Sequence, residues 1–356
     1  MLKNKLLIST ALASALFAGA ATADIKFNGS ATYNYMVFDD ATNGVDLNPN
    51  GNYTGREMVL GVTAAGDLSK LPGWKYKVAG DIEDAGTTFG THEIQVSNGA
   101  LTLTAGSDTS AGIEDVKDLI PHVNNRRSDI VGGGQVSFVT YTVGSASASS
   151  ARLFGSDVLD NTSGKNYFAA DVKTDMATIS LAHTPNLAGG TTDKEDDVSG
   201  NASAGSASSI SIKGSFGVEG LTAGAGVLRA TTNTSGNEDP ASHTYGFTYK
   251  TGQFGIGASR QVNTYDDAAA TSRESTQDDF GITYSVNDNL SVGVIYSPQT
   301  LTTKAAADRD SNLTVVSVGY SLGAVSLGYD YATMDNAALT EGRDVTLHKF
   351  TVKAAF

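Results

Sequence analysis

The chain has 356 residues, 38 acidic against 24 basic side chains, forty glycines, six prolines and no cysteine. A formal charge of −14 excludes nucleic acid as a partner, because gripping phosphates takes clustered Lys and Arg. The missing cysteines exclude a disulfide framework and any thiolate metal site.

Lys3 and Lys5 precede an apolar run, Leu6 to Ala20, that closes on Ala21, Thr22 and Ala23. Charged, apolar and small-residue parts in that order make a secretory signal peptide. The run is diluted by Ala, Ser and Gly and falls short of the ~20 strongly apolar residues of a spanning helix. Removal of residues 1–23 leaves one domain, 24–356, with 22 basic and 38 acidic side chains and a charge of −16.

From Asp24 the chain alternates. Ile25, Phe27, Ala31, Tyr33, Tyr35 and Val37 oppose Lys26, Asn28, Ser30, Thr32 and Asn34, the period of a half-buried strand. The pattern recurs over Gly73 to Glu83, over Ser209 to Val218, at Tyr245, Phe247 and Tyr249, and from Val325 to Tyr331. Short connectors such as Ser97-Asn98-Gly99 and Asn287-Asp288-Asn289 suit tight hairpins. They take turns with long polar ones, among them 39–55, 186–205 and 299–311. Hairpins with turns at one end and loops at the other predict an all-β, transmembrane, antiparallel up-and-down barrel. Counting runs gives 18 strands within a range of 16–18, with Ala146 to Phe154 and Asn166 to Val172 as weak members. So wide a wall encloses more space than side chains fill, so its small polar face lines water and its apolar face meets lipid.

One stretch breaks the period. Ser107 to Gly134 reads SDTSAGIEDVKDLIPHVNNRRSDIVGGG, far longer than the usual connection of roughly 4–6 residues. Ile113, Val116, Leu119 and Ile120 stand at helical spacing over 112–123 with acids between them, and Pro121 should end that helix. The chain finishes on LHKFTVKAAF, with Phe350, Val352, Ala354 and Phe356 on the apolar side.

A signal peptide, the opening strand IKFNGSATYNYMVF, a long third external loop and a terminal Phe356 together resemble the Gram-negative general porins, in particular their alphaproteobacterial, photosynthetic-bacterium type. The resemblance covers the whole mature chain and implies an outer-membrane homotrimer amid lipopolysaccharide. It also implies Phe356 as a signal to the barrel-assembly machinery, sixteen strands rather than eighteen, and the third loop folded into the lumen. Loop 107–134 would then narrow a water-filled pore for passive diffusion of ions and small hydrophilic solutes. Asp108, Glu114, Asp115 and Asp118 are its expected acidic side. Lys26, Arg56, Lys75, Lys77, Lys349 and Lys353, on neighbouring strands across the seam, are the expected basic wall. Opposed charges of this kind make a transverse field that favours hydrated polar solutes, with a weak cation preference overall. Lys213 falls on another part of the wall.

Diffusion needs no cofactor. Acids at Asp39, Asp40, Glu195, Asp196 and Asp197 could bind structural Ca²⁺, yet they lack the regular spacing of a calcium loop and read first as solvated loop charge. There is no G-x-S-x-G or H-E-x-x-H, and the five histidines are scattered, so an enzyme is not expected. The main alternative is a substrate-specific sugar, nucleoside or amino-acid channel. An outer-membrane enzyme and an adhesin barrel come after it.

Overall fold

The computed structural model describes residues 24–42, 45–46, 51–83, 89–107, 111–116, 119–124, 139–143, 146–150, 166–185, 206–231, 239–266, 273–303, 306–337 and 341–356. Sixteen strands form one antiparallel sheet that closes on itself. They are β1 (Asp24–Thr42), β2 (Gly51–Asp67), β3 (Lys75–Glu83), β4 (Phe89–Ser97), β5 (Leu101–Ser107), β6 (Asn166–Lys173), β7 (Ala177–Thr184) and β8 (Ser206–Gly214). The second half comprises β9 (Leu221–Thr231), β10 (Asp239–Thr251), β11 (Phe254–Asp266), β12 (Arg273–Ser285), β13 (Leu290–Thr303), β14 (Ala306–Leu322), β15 (Val325–Asp335) and β16 (Arg343–Ala355). Each pairs with its neighbour in sequence, and β16 returns to β1. A two-residue strand, Val45–Asp46, pairs with the outer end of β1.

The count of eighteen is corrected to sixteen. Asn166–Lys173 does take a place in the wall, pairing with β5 and β7. Ala146–Ser150 does not: it pairs only with Val139–Val143, in a sheet of their own. Its sequence, ASASS, has no apolar side chain larger than alanine to offer lipid.

Alternation decides which way each residue faces. Asp279 is 5% exposed and its neighbour Phe280 is 50% exposed; Asp330 is 0% exposed and Tyr331 is 37%. Along the wall large apolar side chains are exposed, including Ile25, Phe27, Leu181, Ile256, Ile282 and Val318, while buried Ser, Thr, Gln, Asn and Asp side chains lie on the other face. That is a soluble barrel inverted, as a lipid surround requires. Around the seam the outer face is aromatic: the Phe350 ring centroid is 4.8 Å from Tyr329 and 6.3 Å from Tyr35. The Tyr329 hydroxyl and His348 Nδ1 are 2.9 Å apart, within hydrogen-bonding distance. Trp74 and Tyr76 pack with Leu68 and Val96 at a turn.

Phe356 finishes the seam. Its N–H donates to the Gly29 carbonyl at 3.0 Å, and the Gly29 N–H donates to the Phe356 carbonyl at 2.8 Å. Its ring lies over Gly29, so closely that a Cβ there would be 2.5 Å from Phe356 Cζ. A net hydrogen bond is worth about 0.5–1.5 kcal/mol in water, but an unsatisfied backbone group in lipid costs several. Deleting Phe356 should therefore lower the yield of heat-modifiable barrel on unboiled gels, and an unchanged yield would show that the seam closes without it.

Candidate pore constriction

The described part of the expected inward loop, residues 111–116 and 119–124, lies inside the barrel. Residues Gly112–Val116 form a 3₁₀ helix, not the longer α-helix that the spacing over 112–123 predicts. With three residues per turn, Ile113 and Val116 eclipse one another, and both are fully buried against Ala207 of β8 and Leu228 and Ala230 of β9. The start of the helix is held by wall hydroxyls. Gly112 N–H donates to Ser180 Oγ at 2.7 Å, and Ile113 N–H donates to Ser209 Oγ at 3.3 Å. Gly112 itself has φ of 68°, a left-handed conformation in which a Cβ would strike Ser209 Oγ.

Beyond the helix the backbone continues along the wall. Leu119 belongs to the same apolar cluster as Ile113, and its carbonyl accepts from Thr248 Oγ1 of β10 at 2.9 Å. Ile120 joins a second inward cluster with Ile295, Leu313, Val315, Met334 and Leu347. Pro121 terminates no helix here, because helical backbone has already ended at Val116.

The acids divide. Asp108 and Asp118 lie outside the described residues. Glu114, expected to face the lumen, is buried at 8% exposure, because the short helix turns it towards the protein. Asp115 is half-buried beside the wall. Burial holds its carboxyl above the usual carboxylate range; the charge of Asp171 adds to that, and Lys213 and a hydrogen bond with Ser180 oppose it. Ser180 also donates to Asp171 Oδ1 at 2.5 Å, so one hydroxyl joins the loop backbone to a wall acid. Lys213, set apart from the constriction by sequence reasoning, thus sits in the field of Asp115.

Five of the six expected cations lie on the inward face. Lys26 aligns with Thr63, Lys75 with Asp67, Lys77 with Ala65 and Gln95, Lys349 with Met36 and Asp330, and Lys353 with Thr32 and Ser326. Arg56 is the correction. It aligns with Tyr33, one step from Glu57 opposite Thr32, and therefore faces outward with Met58 and Leu60. The arc is not purely cationic either: Lys77 Nζ is 2.6 Å from Glu93 Oε1, and Lys349 is aligned with the buried Asp330. In a ring of sixteen, β8 beneath the helix and β16 with its lysines stand half a turn apart. The helix that carries Glu114 and Asp115 and the lysines of β16 thus stand on opposite sides of the ring.

A polar ladder on β10 to β13 went unnoticed in the sequence. Gln277 Nε2 donates to both oxygens of Asp279 at 2.7 Å, Gln299 Nε2 to Gln277 Oε1 at 3.1 Å, and Ser297 Oγ to Asp279. Its signal was Gln277, Asp279, Ser297 and Gln299 at alternate positions. Of the candidate calcium carboxylates, Asp39 is exposed on β1, while the Asp40 side chain and Glu195, Asp196 and Asp197 lie outside the described residues. Among the described residues no three His, Asp or Glu side chains come together to hold a metal.

A closed antiparallel barrel, apolar outside, polar within and holding a loop in its lumen, defines an outer-membrane channel. A family model described as Gram-negative porin matches residues 9–356, and the chain belongs to that family. It is an outer-membrane porin. Among solved structures it is similar to the anion-selective porin from Comamonas acidovorans, at 14% identity and a TM-score of 0.67, over 94% of this chain and 100% of that one. It is also similar to the trimer form of OmpT, an outer membrane protein of Vibrio cholerae, at 14% identity and a TM-score of 0.63, over 94% and 100% of the two chains. The outer membrane channel DcaP of Acinetobacter baumannii matches at 13% identity and a TM-score of 0.63, over 94% and 98%. At these identities the likeness is one of fold. No curated protein matches the chain.

The raised Asp115 carboxyl has a signed consequence. Its contribution to stability is present below the ordinary carboxylate range and is lost as pH rises through the raised value. Asp115→Asn should therefore melt higher than the wild type at neutral pH, and the gain should vanish on acidification below the ordinary carboxylate range. Thermal melts of the barrel in detergent at the two pH values measure this.

Proposed function

We propose that this porin is a passive diffusion channel for ions and small hydrophilic solutes, narrowed by loop 107–134. The observation that carries this reading is the lumenal position of residues 111–116 and 119–124, pinned to the inner wall at Ser180, Ser209 and Thr248. Asp115, with Asp108 and Asp118, supplies the acidic side of the constriction, while Glu114 is buried against the protein. Lys26, Lys75, Lys77, Lys349 and Lys353 supply the facing basic side, tempered by Glu93 and Asp330. Mixed signs give a weak cation preference and a field across the passage that rewards hydrated, dipolar solutes.

The working assembly is a homotrimer, which the trimer form of the similar OmpT supports. Arg56 takes a different role from the one its sequence position gave it: an outward cation in the outer part of β2 suits the phosphates of lipopolysaccharide. Phe356 is the residue offered to the barrel-assembly machinery. Diffusion through this passage requires no cofactor and no chemical step.

Planar-bilayer recording under a salt gradient tests the reading. The wild type should conduct linearly with concentration and favour cations slightly. Replacing Glu114, Asp115 and Asp118 by amides should move the reversal potential towards anions. An unmoved potential would remove the loop as the selectivity element. Conductance blocked saturably by one sugar, nucleoside or amino acid would replace the general channel with a substrate-specific one.

A further inference from the structure

Wall strands β9 and β11 to β15 carry glycine on the inward face where the described part of the loop crosses them. A Cβ added at Gly224 would stand 2.6 Å from Val116 Cγ1, and one at Gly257 2.7 Å from Pro121 Cδ. At Gly281 it would be 2.7 Å from the Pro121 carbonyl oxygen, and at Gly293 2.7 Å from Val123 Cγ2. At Gly319 it would be 2.6 Å from Asn124 Oδ1, and at Gly328 2.9 Å from Asn124 Cγ. Real Cβ atoms do not approach other atoms so closely. Any side chain at these points would push the loop towards the axis.

The track ends in a window. Gly319 of β14 and Gly328 of β15 are directly paired, so two adjacent side chains are missing from the inner face at one spot. Through it Asn124 Nδ2 reaches the sheet backbone, donating to the Val318 carbonyl at 2.8 Å and the Tyr329 carbonyl at 3.1 Å. It also lies 3.2 Å from Asp330 Oδ1, which accepts from Ser317 Oγ at 2.5 Å. All three neighbours of the amide nitrogen are oxygens, which fixes the orientation of the amide.

We propose that the inner wall is moulded to the constriction loop by this line of glycines, and that Asn124 is the positioning residue that latches the far end of the loop through the Gly319–Gly328 window. The inference rests on the reading of 107–134 as the constriction and adds what sets its distance from the axis. Volume alone would let the segment slide along a smooth trough. The amide fixes its register, because it donates to carbonyls of both paired strands at that window.

The test uses the assembled wild-type channel and three variants in planar bilayers, each first shown to form a heat-modifiable barrel. Asn124→Asp places a carboxylate against three oxygen acceptors, with Asp330 and Lys349 the charged neighbours. At neutral pH it should repel the segment from the wall towards the axis, lower single-channel conductance and exclude polyethylene glycols that the wild type admits. On acidification its protonated carboxyl can donate where the amide did, and conductance should return to the wild-type value at the same pH. Asn124→Ala, which can donate at neither pH, should keep its conductance below the wild-type value at both. Gly319→Ala, which fills the window with Asn124 intact, should shift conductance and polymer exclusion at both pH values, and it carries the test if Asn124→Asp fails to assemble. Asn124→Asp and Gly319→Ala indistinguishable from a conducting wild type at neutral pH would overturn the latch. So would an Asn124→Asp channel whose conductance acid does not restore. A non-conducting wild type would instead overturn the pore reading beneath it.

Discussion

Hydrocarbon offers no partner to a backbone N–H or C=O, and each one left unpaired there costs several kcal/mol. The sheet must therefore close, and closure is the constraint on which the rest of this molecule depends. Once β16 is paired with β1 from Ser30–Ala355 to Thr42–Arg343, the facing of each residue in the ring is fixed by parity alone. Lipid then receives Ile25, Phe27, Ile282 and Phe350, and the lumen receives Lys26, Asp279, Asp330 and Lys349. A pore is the residue of that arithmetic: sixteen strands enclose a space that their small inward side chains do not fill.

What enters that space must fit a wall whose relief is written in side-chain volume. The loop brings Ile113 and Val116, whose full burial is worth about 1.5–3 kcal/mol each, and the wall answers with Ala207, Ala230 and a line of glycines. Overpacking by one methyl usually costs 1–3 kcal/mol, comparable with the whole contribution of one of those anchors. Small residues on the wall are therefore as necessary to the docked loop as the large ones on it. The hydroxyls of Ser180 and Ser209 do the remaining work, taking the N–H groups at the start of a helix too short to satisfy them.

The barrel, its topology and its seam were legible because they rest on period, turn chemistry and length, all local properties, whereas the inward fold of the third loop came from the resemblance to porins. The strand total failed where local pattern and lipid disagree: Ala146–Ser150 alternates but has nothing oily to show. Arg56 failed because facing depends on registration to the single residue, and no sequence pattern marks that step between Arg56 and Glu57. The 3₁₀ geometry was hidden because spacings of three and four both occur among Ile113, Val116, Leu119 and Ile120. The inward apolar patch at Leu313 and Val315 was hidden by Val316 and Val318, which make β14 apolar on both faces. Glycines were counted as turn formers, whereas Gly224, Gly257 and Gly319 serve by what they lack, which only a neighbour in space can reveal.

Charge shapes the passage but does not hold the loop in place. Two unit charges 4 Å apart attract by about 1 kcal/mol in water and about 4 kcal/mol at an effective dielectric of 20. Across an aqueous lumen beyond the Debye length of ~8 Å, such an attraction is largely screened. Near partners therefore win: Lys77 is satisfied by Glu93 at 2.6 Å, and Asp115 feels Asp171 and Lys213 on its own side of the barrel. The arc on β16, β1 and β3 cannot draw the loop towards itself against packing on β8 and β9. Its effect falls on what moves between them, because a hydrated ion in the gap is close to both walls at once. Packing and hydrogen bonds decide where the passage narrows, and the residual charges decide what that narrow place prefers.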